Sequence, residues 1–225
     1  MAVLKNKIKD YKIILGSSSP RRKELLAGLD IEFTIETNGN INEGFDYACD
    51  LEKIPELLSL KKSERFNRKL DINEILITAD TLVICNGEIL GKPIERKNAI
   101  KMLQKLSGQS HAVITAVTIR GLGKCETFSS KTTVFFKELK SDQIEYYIDN
   151  YSPFDKAGSY GIQEWIGYTA ISRIEGSYFN VMGLPVDELS DKLLQFIRPA
   201  YPPPSSGNLA TRDRFEPRLW CRPLF

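Results

Sequence analysis

The sequence predicts an α/β fold in which flanking helices and a mixed, twisted sheet enclose a central cleft. Strand-type and helix-type patterns alternate from the N-terminus, as they do when strands are joined by crossover helices. Asn86-Gly87 between two apolar runs marks a two-residue hairpin, so part of the sheet is antiparallel. His111 to Arg120 and Thr127 to Lys137 are long β-type segments of antiparallel character inside the alternating units.

In chain order, Ile13 to Leu15 is a short apolar strand that runs into the small-residue turn Gly16 to Ser19. Ser19 stands as an N-cap and Pro20 as the first residue of a helix whose apolar face is Leu25, Leu26 and Leu29. Phe33 to Glu36 is a short strand. Pro55 to Phe66 is a helix with Leu57, Leu58 and Leu60 as its apolar residues and Lys61 and Lys62 at one side. Ile75 to Ala79 is a buried strand ending at Asp80, and the hairpin runs from Thr81 to Leu90. Lys97 to Leu106 is a helix with Ala99, Ile100, Leu103 and Leu106 on one face, stopped by Ser107-Gly108. Ser141 caps a helix through Asp149. Ser159 to Tyr168 is a Gly- and Tyr-rich connection, Thr169 to Glu175 a strand, and Pro185 to Ile197 the last helix. Residues 1–198 form the domain, with two lobes around a cleft compatible with the length. From 199 to 225 the chain is Pro-rich and aperiodic, the pattern of a disordered or appended tail.

Composition bounds the function. A chain of 225 residues with 42% hydrophobic and 27% charged residues buries about 70% of its unfolded surface and needs neither disulfide nor structural metal. The formal net charge of +2, with no block of like charges, gives no electrostatic case for a nucleic-acid partner. Cys49, Cys85, Cys125 and Cys221 are far apart and only one histidine, His111, is present, which excludes a zinc site of the usual spacing. No run is long and apolar enough for a membrane span or a signal peptide. The expectation is a cytoplasmic protein with reduced thiols and no membrane partner.

The densest chemistry lies at Ser17-Ser18-Ser19-Pro20-Arg21-Arg22. A strand entering a helix N-terminus exposes unpaired backbone N–H groups, and here three hydroxyls and two arginines join them, a setting for phosphate. The same residues read equally as an ordinary cap and a solvated first turn. Walker and Gly-x-Gly-x-x-Gly cradles are absent. Asp80 follows a buried strand, where α/β proteins place ligands, or is a loop aspartate bonding its own backbone. Glu43 is a second acidic candidate in a loop. Lys92, between Gly91 and Pro93, is stiffened toward an anion or is a surface lysine. Asp155 and Lys156 are a metal ligand or base with a binding cation, or else a structural ion pair. Gln163 sits in the same glycine-flanked stretch. His111 has no nucleophile motif beside it, so a structural role is preferred.

Taken together these segments resemble the Maf family of nucleoside triphosphate pyrophosphatases. The matching pieces are Ser-Ser-Ser-Pro-Arg-Arg at 17–22, Ala-Asp-Thr-Leu-Val at 79–83 and Asn-Gly-Glu-Ile-Leu-Gly-Lys-Pro at 86–93. Ser-Gly-Gln-Ser-His at 107–111 with Thr115-Ala116-Val117, Asp155 through Gln163, and Gly176-Ser177-Tyr178 with Val181 through Pro185 complete the set. The resemblance implies a fold related to the inosine triphosphate pyrophosphatases and hydrolysis between the α and β phosphates. It also implies a divalent cation (Mg²⁺ or Mn²⁺), a cytoplasmic homodimer, and, from Thr81 and Gln163, the subgroup acting on dTTP and UTP.

By position the resemblance gives Asp80 the general base and Arg21, Thr81 and Gln163 the selection of substrate. Ser17, Ser19, Arg22, Lys62, Lys92 and Lys156 join them as substrate-binding residues, with Glu43 and Asp155 as acidic helpers to the metal. Gln163 and Thr81 carry donors and acceptors that suit the O4 and N3–H edge of uracil or thymine. Two other functions stay open: a nucleotide-binding regulator of septum formation without turnover, and a pyrophosphatase preferring 7-methyl-GTP or another purine. Keeping modified nucleotides out of nucleic acids, and an effect on cell division, are further implications of the resemblance.

Overall fold

The computed structural model describes residues 3–37 and 50–197. The predicted domain boundary near 198, the tail and Glu43 lie outside the described residues. The described elements are α1 (Leu4–Ile8), β1 (Lys12–Leu15), α2 (Pro20–Ala27), β2 (Phe33–Ile35), α3 (Ile54–Glu64), β3 (Glu74–Cys85) and β4 (Glu88–Leu90). They continue with α4 (Arg96–Leu106), β5 (Ser110–Gly121), β6 (Lys124–Phe136), α5 (Ser141–Tyr151), α6 (Trp165–Ala170), β7 (Ile171–Glu175), α7 (Tyr178–Met182) and α8 (Val186–Phe196). No helix among the described residues is long and apolar enough to cross a membrane.

The seven strands form one mixed sheet in the order β2-β1-β3-β5-β6-β7, with β4 attached to β3. β1 is parallel to both β2 and β3, and the remaining pairs are antiparallel. The predicted mixed α/β architecture is therefore present. The Asn86-Gly87 hairpin is also where the sequence puts it: both residues take positive φ, +51° and +75°, as a type I′ turn requires.

β3 organises the molecule. One of its edges is covered by β5 from Leu76 to Ile84. The other is shared: β1 pairs with Glu74 to Ile77 and β4 with Val83 to Cys85. Side chains alternate across the strand. Ile75, Ile77, Ala79, Val83 and Cys85 enter the main core with Leu103 and Leu106 of α4, Tyr147 of α5, and Leu189 and Leu193 of α8. On the opposite face Leu82 packs on Ile54 and Leu58 of α3, and Leu76 on Ile14 and Leu70. Fully covering a side chain of this size contributes about 1.5–3 kcal/mol, so both faces fix the strand firmly.

Several elements differ from the sequence expectation. β3 does not end at Asp80 but continues through it to Cys85. Leu57 is exposed, so α3 presents Leu58 rather than Leu57 to the sheet. Ser19 occupies the N-cap position of α2, but its hydroxyl makes no capping bond. Instead the hydroxyl of Ser17 accepts from the Ser19 N–H at 3.3 Å. α2 stops at Ala27, leaving Leu29 beyond it. Ser141 is inside α5; Lys140 is its N-cap, and the Gln143 side chain accepts from the Lys140 N–H at 2.9 Å. The helices α1, α6 and α7 are additional, and β7 starts at Ile171, later than predicted.

His111 is 3% exposed and forms a buried ring cluster with Phe136 and Tyr160, its Nε2 2.7 Å from the Tyr160 hydroxyl. Burial holds its imidazole down to about 4, below the usual 6.5, so it is neutral at ordinary pH. The structural role preferred from sequence fits this placement.

Two outcomes are expected. The unfolded chain binds a proton at His111 below pH 6.5 and the folded chain only below about 4, so stability is lost as pH falls through that window. Urea midpoints at pH 7 and 4.5 should show wild type losing about 2 kcal/mol more than His111→Gln; equal losses would contradict it. Secondly, a Cβ at Gly167 would stand 1.8 Å from the Ile162 carbonyl oxygen. Gly167→Ala should therefore cost about 3 kcal/mol by chemical denaturation and displace the neighbouring Gln163.

Candidate active site

Because β1 and β4 share one edge of β3, residues 78–82 have no strand neighbour there among the described residues. A cleft of about 910 Å³ opens along this gap. Its walls are the β1–α2 turn, α3, the connection after β4, the segment from Asp155 to Gln163, and the end of α7. Ser17, Ser18, Ser19, Arg21, Arg22, Lys62, Asp80, Thr81, Lys92, Asp155, Lys156 and Gln163 all line it. Every described residue that the sequence singled out for substrate or catalysis thus reaches one cavity, although Arg21 and Asp155 are 134 residues apart.

Asp80 and Thr81 are consecutive in β3 and point to opposite faces. Asp80 faces α3, where Lys62 Nζ lies 2.5 Å from its Oδ1. Both side chains are largely shielded, at 9% and 18% exposure. The sheet positions the carboxylate and the helix delivers the ammonium. Thr78, two residues earlier on the same face, ties the elements together by donating to the Ser59 carbonyl at 2.8 Å.

Thr81 faces the other way. Arg22 Nη2 donates to its hydroxyl at 3.1 Å, Nε donates to the Gly183 carbonyl at 2.9 Å, and Nη1 donates to Ser17 Oγ at 3.3 Å. The second arginine of the pair is therefore a brace joining α2, β3 and α7. Arg21 points elsewhere and meets Asp155, with Nη1 2.6 Å from Oδ2.

Asp155 accepts from two cations, since Lys156 Nζ lies 2.8 Å from its Oδ1. Partial burial alone would raise its carboxyl pKa; the bonds from Lys156 and Arg21 outweigh that and hold it down to about 2. Lys156, itself buried, also reaches Glu164 Oε1 at 3.1 Å. Glu164 in turn accepts from the Tyr147 hydroxyl, and that oxygen accepts from the Gly161 N–H at 2.9 Å. Burial, with the Glu164 carboxylate as the next cause, pushes the Tyr147 phenol up. This chain of bonds clamps both ends of the segment that carries Gln163. Gly158, at φ +69°, lets the segment turn against Val83 and bond the Gly91 carbonyl at 3.1 Å, beside Lys92.

Gln163 Oε1 is buried and has no hydrogen-bond partner among the described residues. A buried acceptor without a donor costs about 1–3 kcal/mol, and this one borders the cleft. Lys92 also lines the cleft and is exposed. Among the described residues no group of three His, Cys, Asp or Glu side chains could hold a metal ion. The metal role expected for Asp155 meets a carboxylate already engaged by two cations.

Sequence reasoning missed Glu164 and the Tyr147 hydroxyl. Tyr147 is a fully buried core residue whose hydroxyl also links Glu164 to Gly161. Glu164 adjoins the Gln163 motif, and its pairing with Lys156 is a contact between segment ends that spacing alone does not reveal.

The family model described as Maf-like protein matches residues 12–196. A dTTP/UTP pyrophosphatase of Porphyromonas gingivalis (strain ATCC BAA-308 / W83) is 50% identical over 191 residues, covering 84% of this chain and 96% of that protein. A dTTP/UTP pyrophosphatase of Bacteroides fragilis (strain YCH46) is 48% identical over 187 residues, covering 82% and 96%. A solved nucleoside-triphosphatase / dITP/XTP pyrophosphatase of Mycobacterium abscessus aligns at TM-score 0.41 and 12% identity, over 83% of this chain and 98% of that one, and bears no weight here. The family match over 12–196, together with motifs that converge on one cleft, establishes that this chain belongs to the Maf family.

Proposed function

We infer that the protein is a nucleoside triphosphate pyrophosphatase that hydrolyses dTTP and UTP to the monophosphate and pyrophosphate. The observation that carries this reading is the convergence of Asp80 with Arg21, Lys62, Lys92 and Lys156 on one cleft. A triphosphate repels an incoming nucleophile until its charge is offset, and Arg21, Lys62, Lys92 and Lys156, lining the cleft with Asp80 and Asp155, supply cations for that offset. The relatives named dTTP/UTP pyrophosphatase support the choice of nucleotide. So does Gln163, whose side-chain amide lines the cleft and carries both donor and acceptor for the edge of uracil or thymine.

In this reading Asp80 takes a proton from water as the water oxygen bonds to the α-phosphorus. The bond from that phosphorus to the α–β bridging oxygen breaks, and pyrophosphate departs with the electron pair. Lys62 holds the Asp80 carboxylate in place, and Arg21 and Lys92 orient the phosphates. A Mg²⁺ or Mn²⁺ ion belongs to the same proposal. The described donors form no cage for it, which suits an ion held mainly by substrate phosphates and one or two carboxylates, with Glu43 outside the described residues as one of them. When bound, it supplies charge neutralisation on the phosphates. We place the enzyme in the cytoplasm as a homodimer, without nucleic-acid or membrane partners.

Incubation with UTP or dTTP and Mg²⁺ should release pyrophosphate, and Asp80→Asn should lower kcat by at least about 10²-fold. Release of orthophosphate, or full activity in that variant, would overturn the assignment; nucleotide binding without turnover in the parent would favour the regulator instead. For Asp155→Asn we expect kcat/KM to fall about tenfold through looser Arg21 and Lys156 while half-saturating Mg²⁺ stays unchanged. A large shift in the Mg²⁺ requirement would restore Asp155 as a metal ligand.

A further inference from the structure

Thr115 is fully buried in β5 and pairs with Thr81 across the sheet. Its Oγ1 lies 2.9 Å from the backbone carbonyl oxygen of Asn180 and 3.0 Å from Thr81 Oγ1. Two oxygens this close repel unless a proton lies between them. A carbonyl has none to give, so the Thr115 hydroxyl donates to Asn180. Thr115 has then used its only proton, and the proton between the two threonines must come from Thr81. Arg22 Nη2, 3.1 Å away, has only donors and takes one lone pair of the Thr81 oxygen. A hydroxyl offers one donor and two acceptor positions. Thr81 therefore has one lone pair left and no proton.

Asn180 anchors this relay. Its side chain is fully buried, donates to the Val113 carbonyl at 3.0 Å and to Thr132 Oγ1 at 2.8 Å, and accepts from the Thr115 N–H at 3.1 Å. Its own backbone carbonyl also accepts from the Gly183 N–H at 3.0 Å. The end point of the relay is thus held by the core, away from the ligand.

We propose that Thr115 is a specificity-positioning residue: through the relay Asn180–Thr115–Thr81 it makes Thr81 an acceptor only, so the cleft selects nucleotides that present a hydrogen-bond donor there. Phosphate oxygens carry no proton and are poor partners for such a group. Two parts of a uracil or thymine nucleotide could supply the donor: the base imide N–H and a sugar hydroxyl. On the proposed pyrimidine reading, which this inference rests on, the partner is the N3–H of uracil or thymine. Cytosine presents a bare lone pair at N3 and is rejected by repulsion as well as by a missing bond.

The test compares kcat/KM for UTP, dUTP and CTP, because ratios within one preparation cancel the folded fraction. Thr115→Val keeps the shape but removes the hydroxyl, and Asn180 retains its bond from Gly183. We expect the UTP:CTP ratio to fall about tenfold, as the freed Thr81 proton turns toward cytosine N3, while UTP:dUTP holds within twofold. Thr115→Ser, which keeps the relay, should retain the parental UTP:CTP ratio even if Thr115→Val proves too unstable to assay. Thr81→Val is the control for the underlying reading. If it collapses the UTP:CTP ratio while Thr115→Val leaves it unchanged, the relay is wrong and the pyrimidine reading stands. A ratio unchanged in Thr81→Val and Thr115→Val alike shows that Thr81 does not read the base, and the Thr81 base contact falls together with the relay. A shift confined to UTP:dUTP assigns the donor to the sugar and overturns the base contact.

Discussion

The site depends on one strand edge having two incomplete neighbours. β1 covers the first residues of β3 and β4 the last, so among the described residues the segment between them has no strand beside it on that edge. Every other part of the cleft is arranged around that interruption. The β1–α2 turn lies at its near end because β1 stops there, and Lys92 lies at the far end because the chain leaves β4 there. A longer β1 or β4 would close the gap with backbone pairing and leave no room for a ligand. Burial on both faces of β3 helps hold the strand without continuous pairing along that edge.

The second constraint is charge. Several cations face one cavity, and without an anion they repel one another and are expensive to shield from water. The molecule handles this with internal carboxylates: Asp80 beside Lys62, and Asp155 between Arg21 and Lys156. These pairs offset the cations and fix where each one points. Glu164 serves one layer further out, holding Lys156 from behind while the Tyr147 hydroxyl joins it to Gly161.

Much of this was legible in the residues themselves. The apolar run into Gly16 to Ser19, the Asn86-Gly87 turn and the periodicity of α4 each have a local physical cause, and each appears as read. Asp80 was recognised but placed at a strand end, because a polar pair, Asp80-Thr81, interrupts an apolar run just as a turn does. Partners from distant segments keep the strand going: Lys62 for Asp80, Arg22 and Thr115 for Thr81. Asp155 shows the same limit, since its meaning rests on Arg21 from far along the chain. The helix α6 was hidden behind glycine and tyrosine, although its glycine is there because a carbonyl presses on it.

The alternation of Asp80 and Thr81 carries a consequence for the shape of any bound molecule. Neighbouring side chains leave β3 on opposite sides, one toward α3 and one toward α7. A single ligand that meets both must therefore straddle the bare strand like a saddle on a ridge, with its two ends in differently built chambers. One chamber is built on the Asp80–Lys62 ion pair, the other on hydroxyls and amides braced by Arg22. A carboxylate and a hydroxyl on adjacent letters of the sequence are thereby kept apart by the thickness of a backbone.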